Sequence, residues 1–151
     1  MKKNTFYVCA GLSLMLAFGS CSKEKAAGNT TTNGADAVSA AFSSGTWVIS
    51  SFTQKTEDKA GKFGGVAFTF HADGSAVASD NSQEVQGSWH HSPAVTYYGS
   101  TSKEAMYLNF GTSKPFDLLS KTWNVTARSA NTISLESPET AEDEHLQFNK
   151  Q

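Results

Sequence analysis

Histidine side chains have the widest chemical range in this chain, because they bind metals and transfer protons near neutral pH. The sequence has four histidines, and His90 and His91 are adjacent. Adjacent side chains point to opposite faces of a strand, so these two do not converge on one metal ion. Neither His71 nor His145 has a ligand partner close in sequence. We therefore predict solvated or hydrogen-bonded histidines and no metal site.

Acidic side chains cluster near the C-terminus, in residues 137–145 (SPETAEDEH). The segment lacks the Asp-x-Asp-x-Asp-Gly spacing that arranges oxygen ligands around calcium, so we predict a solvated hairpin loop. The chain also lacks the Gly-x-Ser-x-Gly, Gly-x-x-x-x-Gly-Lys and HExxH motifs. We therefore expect no enzyme activity and no cofactor.

The N-terminal segment has the features of an export signal. Lys2 and Lys3 precede an apolar run at residues 6–18 (FYVCAGLSLMLAF). The run has the length of a signal-peptide core and is shorter than a membrane-spanning helix. A plain secretory signal and an uncleaved membrane helix both remain alternatives for this run.

Residues 18–21 (FGSC) resemble a lipobox, at which bacterial lipoprotein signals are cut before a cysteine that receives lipid. We predict a lipoprotein signal peptide in residues 1–20 and lipidation of Cys21. Each buried CH₂ of an acyl chain contributes about 0.8 kcal/mol, so a multiply acylated cysteine holds a protein firmly on a membrane. Cys9 is removed with the signal, which leaves no free thiol and no disulfide.

The residue after the lipidation site indicates the membrane. Ser22 stands where aspartate is typical of inner-membrane retention, so we predict the outer membrane. Residues 22–25 (SKEK) also resemble export signals of surface-exposed lipoproteins, and both the periplasmic and the cell-surface face remain open. The formal net charge of −2 and a single arginine, Arg128, exclude the basic surface that nucleic acids require.

Composition divides the mature chain into a tether and one domain. Residues 22–43 are rich in Ala, Thr, Asn, Gly and Ser, and such a run buries too little apolar area to fold. We predict a flexible tether over residues 21–43, with a short helical turn at residues 37–42 (AVSAAF), and a β-domain over residues 44–151.

Apolar and polar side chains alternate through most of the domain. Trp47 and Ile49 are predicted on one face of the first strand and Phe52 on the other. Asp73-Gly74 predicts a hairpin turn, and residues 115–122 (PFDLLSKT) predict a short helical plug. The eight strand segments are TWVISSFTQ, GVAFTFHADG, SAVASDN, EVQGSWHH, EAMYLNFG, TWNVTAR, TISLES and EHLQFNK. Eight antiparallel strands in sequence order favour an all-β up-and-down barrel, and a two-sheet sandwich is the alternative.

Several blocks of the domain carry a family resemblance. They are GTW (45–47), FTFHADGSA (68–76), GSW (87–89), LNF (108–110), FDLLSKTWNV (116–125) and ISLESP with LQFNK near the C-terminus. In order and spacing these blocks resemble the lipocalin-like bacterial lipoproteins. The resemblance implies a small β-barrel in which the first tryptophan packs across the closed end beneath a basic side chain, here Arg128 or Lys150.

The resemblance also implies an internal ligand cavity. An eight-stranded barrel either is filled by side chains or holds one small molecule. We predict that a small, largely apolar ligand binds to six interior side chains, namely Phe68, Phe70, Trp89, Met106, Phe110 and Trp123. If the barrel is filled, the alternative is an envelope interaction module that binds a protein or glycan through Tyr97 and Tyr98. An interior cavity of about 300 Å³ or more distinguishes the two.

Overall fold

A computed structural model of the chain describes residues 33–151, with side chains from Val38 onward. The predicted signal peptide, the predicted lipidation site Cys21 and the start of the predicted tether lie outside these residues. Within residues 33–151, no helix has the length and hydropathy needed to cross a membrane.

The described chain consists of one α-helix, eleven strands and two short 3-10 helices. In chain order they are α1 (Asn33–Phe42), β1 (Thr46–Gln54), β2 (Glu57–Asp58), a 3-10 helix (Ala60–Phe63), β3 (Ala67–Phe70), β4 (Ser75–Ser79), β5 (Glu84–Ser92), β6 (Thr96–Tyr97), β7 (Ser100–Thr101), β8 (Ala105–Asn109), a 3-10 helix (Phe116–Leu118), β9 (Lys121–Arg128), β10 (Thr132–Glu136) and β11 (Glu144–Lys150).

Eight of these strands close into an up-and-down antiparallel barrel. Around the wall they follow the order β1, β3, β4, β5, β8, β9, β10 and β11. The barrel closes where β11 pairs with β1, with Trp47 opposite Lys150 and Ile49 opposite Phe148. This pairing confirms the predicted all-β barrel and excludes the sandwich. Strand β2 pairs with the end of β1, and β6 and β7 form a separate hairpin between β5 and β8.

The predicted turn at Asp73-Gly74 joins β3 to β4. Gly74 adopts a φ of +87°, which glycine reaches without steric penalty. The Asp73 carboxylate accepts hydrogen bonds from the backbone N–H and the hydroxyl of Ser75, at 2.9 and 2.7 Å. These bonds, led by the one from the hydroxyl, lower the pKa of Asp73.

The prediction that Phe52 faces away from Trp47 is wrong, because β1 contains a bulge. Both side chains are fully buried in the interior. The pairing with β11 shifts between Ile49 and Ser51, so Ser50 is an extra residue in β1. An extra residue moves every later side chain to the other face, which brings Phe52 into the core.

Residues 33–42, at the C-terminal end of the predicted tether, form helix α1. Val38 is 4% exposed and Phe42 is fully buried, so the helix packs onto the barrel. The short helical turn predicted at residues 37–42 is the second half of this helix. Burial of two apolar side chains offsets the ordering entropy that low-complexity composition alone does not offset. Helix α1 therefore belongs to the domain.

Candidate functional site

The six predicted ligand-binding side chains all lie in the barrel interior. Trp89 is the most exposed of them at 6%, and Phe68, Phe70, Met106 and Trp123 are fully buried. Four of them are in ring contact, with centroids 5.6 Å apart for Phe68 and Phe110, 6.5 Å apart for Phe68 and Phe70 and 5.8 Å apart for Phe70 and Trp89. The structure brings these residues together as an aromatic core.

Helix α1 fills one end of this core. The Phe42 ring centroid lies 4.1 Å from that of Phe70, 5.0 Å from Trp47 and 5.3 Å from Trp89. The indole N–H of Trp47 donates a hydrogen bond to the Phe42 carbonyl oxygen at 2.9 Å. Phe42 therefore occupies space among the predicted ligand-binding residues.

The two 3-10 helices cover the other end. Phe63, from the first, lies 6.0 Å from Phe52 and 5.9 Å from Phe116, centroid to centroid. Phe116, from the second, is 2% exposed and Leu119 is fully buried, as the predicted plug at residues 115–122 requires. The indole N–H of Trp123 donates to the Leu119 carbonyl oxygen at 3.1 Å and ties the plug to β9.

Four cavities formed by the described residues lie at the surface. Their volumes are 390 Å³ beside the β1–β2 turn, 260 Å³ and 190 Å³ beside α1, and 130 Å³ beside the β10–β11 connection. Trp89 lines the 190 Å³ cavity, and the other five predicted ligand-binding residues line none of these four. Aromatic packing at both ends thus favours a filled barrel, and ligand binding by the six residues stays a prediction.

Lys150 is the basic side chain over the first tryptophan. Its ammonium nitrogen lies 5.6 Å from the Trp47 ring centroid and donates to the Ser44 hydroxyl at 2.8 Å. A Cβ on Gly45 would lie 2.7 Å from the Lys150 Cε atom, and Gly45 has a φ of +80°. The glycine of the Gly-x-Trp sequence therefore makes room for the lysine stem. Arg128, the other candidate, pairs elsewhere.

Tyr97 and Tyr98 lie at the tip of the β6–β7 hairpin, which we call the tyrosine hairpin (residues 92–104). They are 72% and 92% exposed, and their ring centroids are 4.4 Å apart at an interplanar angle of 80°. Tyr98 and Gly99 have φ values of 46° and 83°, which correspond to the tight two-residue turn of a hairpin. Left-handed backbone is uncommon for a residue with a bulky side chain.

Hydrogen bonds hold the tyrosine hairpin in shape. The Ser102 N–H donates to the Val95 carbonyl oxygen, and the Val95 N–H donates to the Ser102 hydroxyl, both at 2.9 Å. The Thr96 and Thr101 hydroxyls bond each other at 2.9 Å. The exposed rings therefore stand on a preformed turn.

A hydrogen-bond network of His91, Glu104 and Arg128 anchors the base of this hairpin. His91 Nε2 lies 2.8 Å from Glu104 Oε1, and the Arg128 Nε–H donates to the other carboxylate oxygen, Glu104 Oε2, at 3.3 Å. The His91 side chain is 2% exposed, whereas His90 is exposed. This confirms that the adjacent histidines face opposite ways. Sequence reasoning missed the network because Glu104 is 13 residues from His91 and 24 from Arg128.

The prediction that the acidic segment is a solvated loop is wrong at Glu144, which is buried. Its side chain is 2% exposed, pairs with Lys121 and accepts a hydrogen bond from the Gln54 amide at 2.8 Å. Glu142 accepts hydrogen bonds from Lys121 at 2.9 Å and from the Ser137 hydroxyl at 2.8 Å. These bonds, led by that from Lys121, lower the pKa of Glu142.

The pKa of Lys121 moves in the opposite direction. Partial burial works against its charge, but hydrogen bonds to Glu144 and Glu142 outweigh burial and raise the pKa. The cluster joins β9 to the β10–β11 connection through ion pairs of Lys121 with Glu142 and Glu144, and its role is structural. Among residues 33–151, no group of three or more His, Cys, Asp or Glu side chains is arranged to hold a metal ion.

Comparison with known proteins supports the fold. No family model matches the chain, and no curated protein matches it. The crystal structure of a DUF4847 family protein from Bacteroides vulgatus ATCC 8482 is similar, with a TM-score of 0.53 and 21% sequence identity. The match covers 76% of this chain and 99% of that chain. Likeness at this identity extends to the barrel fold alone.

Proposed function

We propose that this protein is a lipid-anchored envelope protein whose filled barrel is a rigid scaffold for a binding surface, the tyrosine hairpin. The observation that carries the proposal is the exposure of Tyr97 and Tyr98 at the tip of a preformed turn. The proposed anchor is a lipidated Cys21 in the outer membrane, supported by the lipobox-like sequence before it.

Tyrosine suits a binding surface because its ring is apolar and its hydroxyl is polar, so it contacts many partners with few rotatable bonds. The two exposed rings pack against each other and not against the barrel core. Tyr98 also adopts a left-handed φ that disfavours bulky residues. Such a backbone conformation persists where the surrounding structure holds it, and strained residues cluster at functional sites.

Preorganisation strengthens the proposal. Binding orders flexible loops at a cost in entropy, and a rigid loop avoids much of that cost. The tyrosine hairpin has its own cross-strand hydrogen bonds, and the pair of His91 and Glu104 fixes its base. The barrel wall beneath it is closed by the pairing of β11 with β1, so the base of the hairpin stands on a continuous sheet.

Photocrosslinking in intact cells tests this function. A benzoylphenylalanine in place of Tyr98 in the full-length protein should form a defined adduct on irradiation. The matched control is the same substitution at Tyr107, which is 42% exposed on the barrel wall. Adducts of equal yield at both positions, or at neither, would contradict the proposal.

Binding of a small apolar ligand inside the barrel is the second candidate. One observation favours it, because Phe42, Phe63 and Phe116 come from helices and not from wall strands. Their displacement would open the interior without breaking the closed sheet. Mass spectrometry of compounds released from gently extracted protein should then recover one compound repeatedly, and Trp89→Ala should lose it. Consistent recovery of empty protein would contradict this candidate.

A further inference from the structure

The tyrosine hairpin lies at the end of the barrel from which the proposed tether leaves. In an up-and-down barrel, alternate connections meet at the same end. The β3–β4, β5–β8 and β9–β10 connections therefore share one end with the start of β1, the end of β11 and helix α1. We call this the tether end. The remaining connections form the distal end.

The length of chain before α1 keeps the tether end close to the proposed anchor. Twelve Cα steps separate Cys21 from Asn33, the first residue of α1. Even fully extended, this stretch spans at most about 42 Å. With Cys21 in the membrane, the first residue of α1 is held within that distance of the lipid headgroups, and the tether end follows α1 directly.

The tip of the hairpin has the composition of a membrane-interface element. Residues 92–102 (SPAVTYYGSTS) contain no charged side chain, and Val95 is 56% exposed beside the two tyrosines. Tyrosine is enriched at the headgroup level of membranes, where its ring meets acyl chains and its hydroxyl meets water.

The formal charges of the two ends also favour an orientation with the tether end toward the membrane. From residue 33 onward, the tether end has Lys103, Arg128 and Lys150 against Asp36, Asp73 and Glu104, a formal charge of 0. The other five lysines and ten carboxylates lie in the distal connections or at the strand ends beside them, a formal charge of −5. Anionic headgroups repel the distal end and tolerate the tether end.

The ring geometry suits a lipid surface better than a glycan chain. Stacking on successive sugars requires faces that point the same way, and these rings are at 80° to each other. The nearby Thr96 and Thr101 hydroxyls bond each other at 2.9 Å, which engages one of their two O–H donors. The headgroup layer of a membrane accepts rings in any orientation and therefore fits this arrangement.

We infer that Val95, Tyr97 and Tyr98 insert into the headgroup layer of the anchoring membrane and hold the barrel upright, with its acidic end pointing away. The inference rests on the proposed lipid anchor and on the proposed role of the hairpin as a binding surface. It names the lipid surface as the partner of that hairpin.

Spin-label accessibility tests the inference. Lipidated full-length protein is reconstituted into vesicles of equal parts phosphatidylethanolamine and phosphatidylglycerol, with a nitroxide at Ser100→Cys beside the tip. The control label is at Asn81→Cys, exposed in the distal β4–β5 turn. The ratio of oxygen accessibility to nickel-chelate accessibility should be severalfold higher at position 100 than at position 81. Equal, aqueous values at both positions would overturn the inference.

Matched tyrosine variants sharpen this test. In the Ser100→Cys background, Tyr97→Ser with Tyr98→Ser should lower the ratio to the aqueous value, and Tyr107→Ser should leave it unchanged. Crosslinking at position 98 separates the two proposals. A lipid adduct supports both. A protein or glycan adduct with an aqueous label supports the binding surface and overturns membrane insertion, and no adduct with an aqueous label overturns both.

Discussion

The indole N–H of Trp47 donates to the carbonyl oxygen of Phe42 over 2.9 Å, and the two ring centroids are 5.0 Å apart. One residue begins the barrel wall and the other ends helix α1. Helix α1 precedes the sheet in the chain, and this pair makes the helix a component of the barrel core. It also places the rings of α1 and the wall in one aromatic cluster that covers the tether end.

Truncation of Phe42 should destabilise the domain strongly. Phe42→Ala removes a fully buried ring that contacts Phe70, Trp47 and Trp89. Loss of a buried phenylalanine typically costs about 3–5 kcal/mol in the free energy of unfolding. Urea unfolding followed by tryptophan fluorescence measures the change. Val95→Ala, at a 56% exposed position, is the control and should change it little. Equal stability of the two variants would show that α1 does not pack as described.

Glycine at position 87 should be required for close packing of β5. A Cβ there would lie 2.6 Å from both the Asn109 carbonyl oxygen and the Phe110 Cδ1 atom. Because a backbone oxygen cannot move aside cheaply, Gly87→Ala should lower the free energy of unfolding by about 1–3 kcal/mol. Gly61→Ala is the matched control, since a Cβ at Gly61 meets nothing within 4 Å. Chemical denaturation of the two variants provides the comparison, and a smaller loss at Gly87 than at Gly61 would refute the packing argument.

Period-two patterning in the sequence predicted the eight wall strands because one face of each is buried. It could not predict the bulge at Ser50, since an added residue looks the same as a normal one until β11 is paired beside it. The first half of helix α1 and its packing on the barrel were not predicted, for a related reason. Its composition resembles a tether, and only contact between Phe42 and the barrel stabilises it.

The candidate site was predictable to a similar degree. Two adjacent tyrosines in a long connection indicated an exposed surface, and the structure exposes both. The network of His91, Glu104 and Arg128 depends on which strands are neighbours, so the sequence gives no local signal of it. The filling of the barrel likewise depends on how far Phe42, Phe63 and Phe116 reach into its ends.

Acid should weaken the hydrogen bonds that Glu142 accepts from Lys121 and Ser137. Hydrogen bonds from Lys121 and Ser137 hold the pKa of Glu142 below its ordinary value of 4.5. A depressed carboxyl pKa contributes stability that is fully present above the unfolded pKa and is lost as pH falls through the folded pKa. Glu142→Gln should therefore reduce stability above about pH 4.5 and converge with the parent protein below that range. Because Glu142 is 41% exposed, the effect should be small.

Urea midpoints from pH 3 to pH 7 measure this convergence. Glu139→Gln provides the control, since Glu139 is exposed on the same connection. A parallel shift of the Glu142→Gln curve at every pH would contradict the assigned linkage. Conversely, Lys121 contributes stability that is present below its ordinary pKa of 10.5 and is lost as pH rises through its raised folded pKa.

Glu104 should hold the base of the tyrosine hairpin in place. Its carboxylate accepts hydrogen bonds from His91 and Arg128, and the His91 side chain is almost fully buried. Glu104→Ala removes the acceptor and leaves a buried polar ring without a partner, which costs about 1–3 kcal/mol. Because the loss falls where the hairpin joins β8, backbone amides of residues 93–103 should exchange with deuterium faster than in the parent protein, while those of β10 and β11 change less. Glu136→Ala, which removes only the exposed pair with Lys103, is the control and should leave exchange in the hairpin nearly unchanged. Uniform acceleration across the whole barrel in Glu104→Ala would instead mean that the network supports global stability and does not specifically position the hairpin.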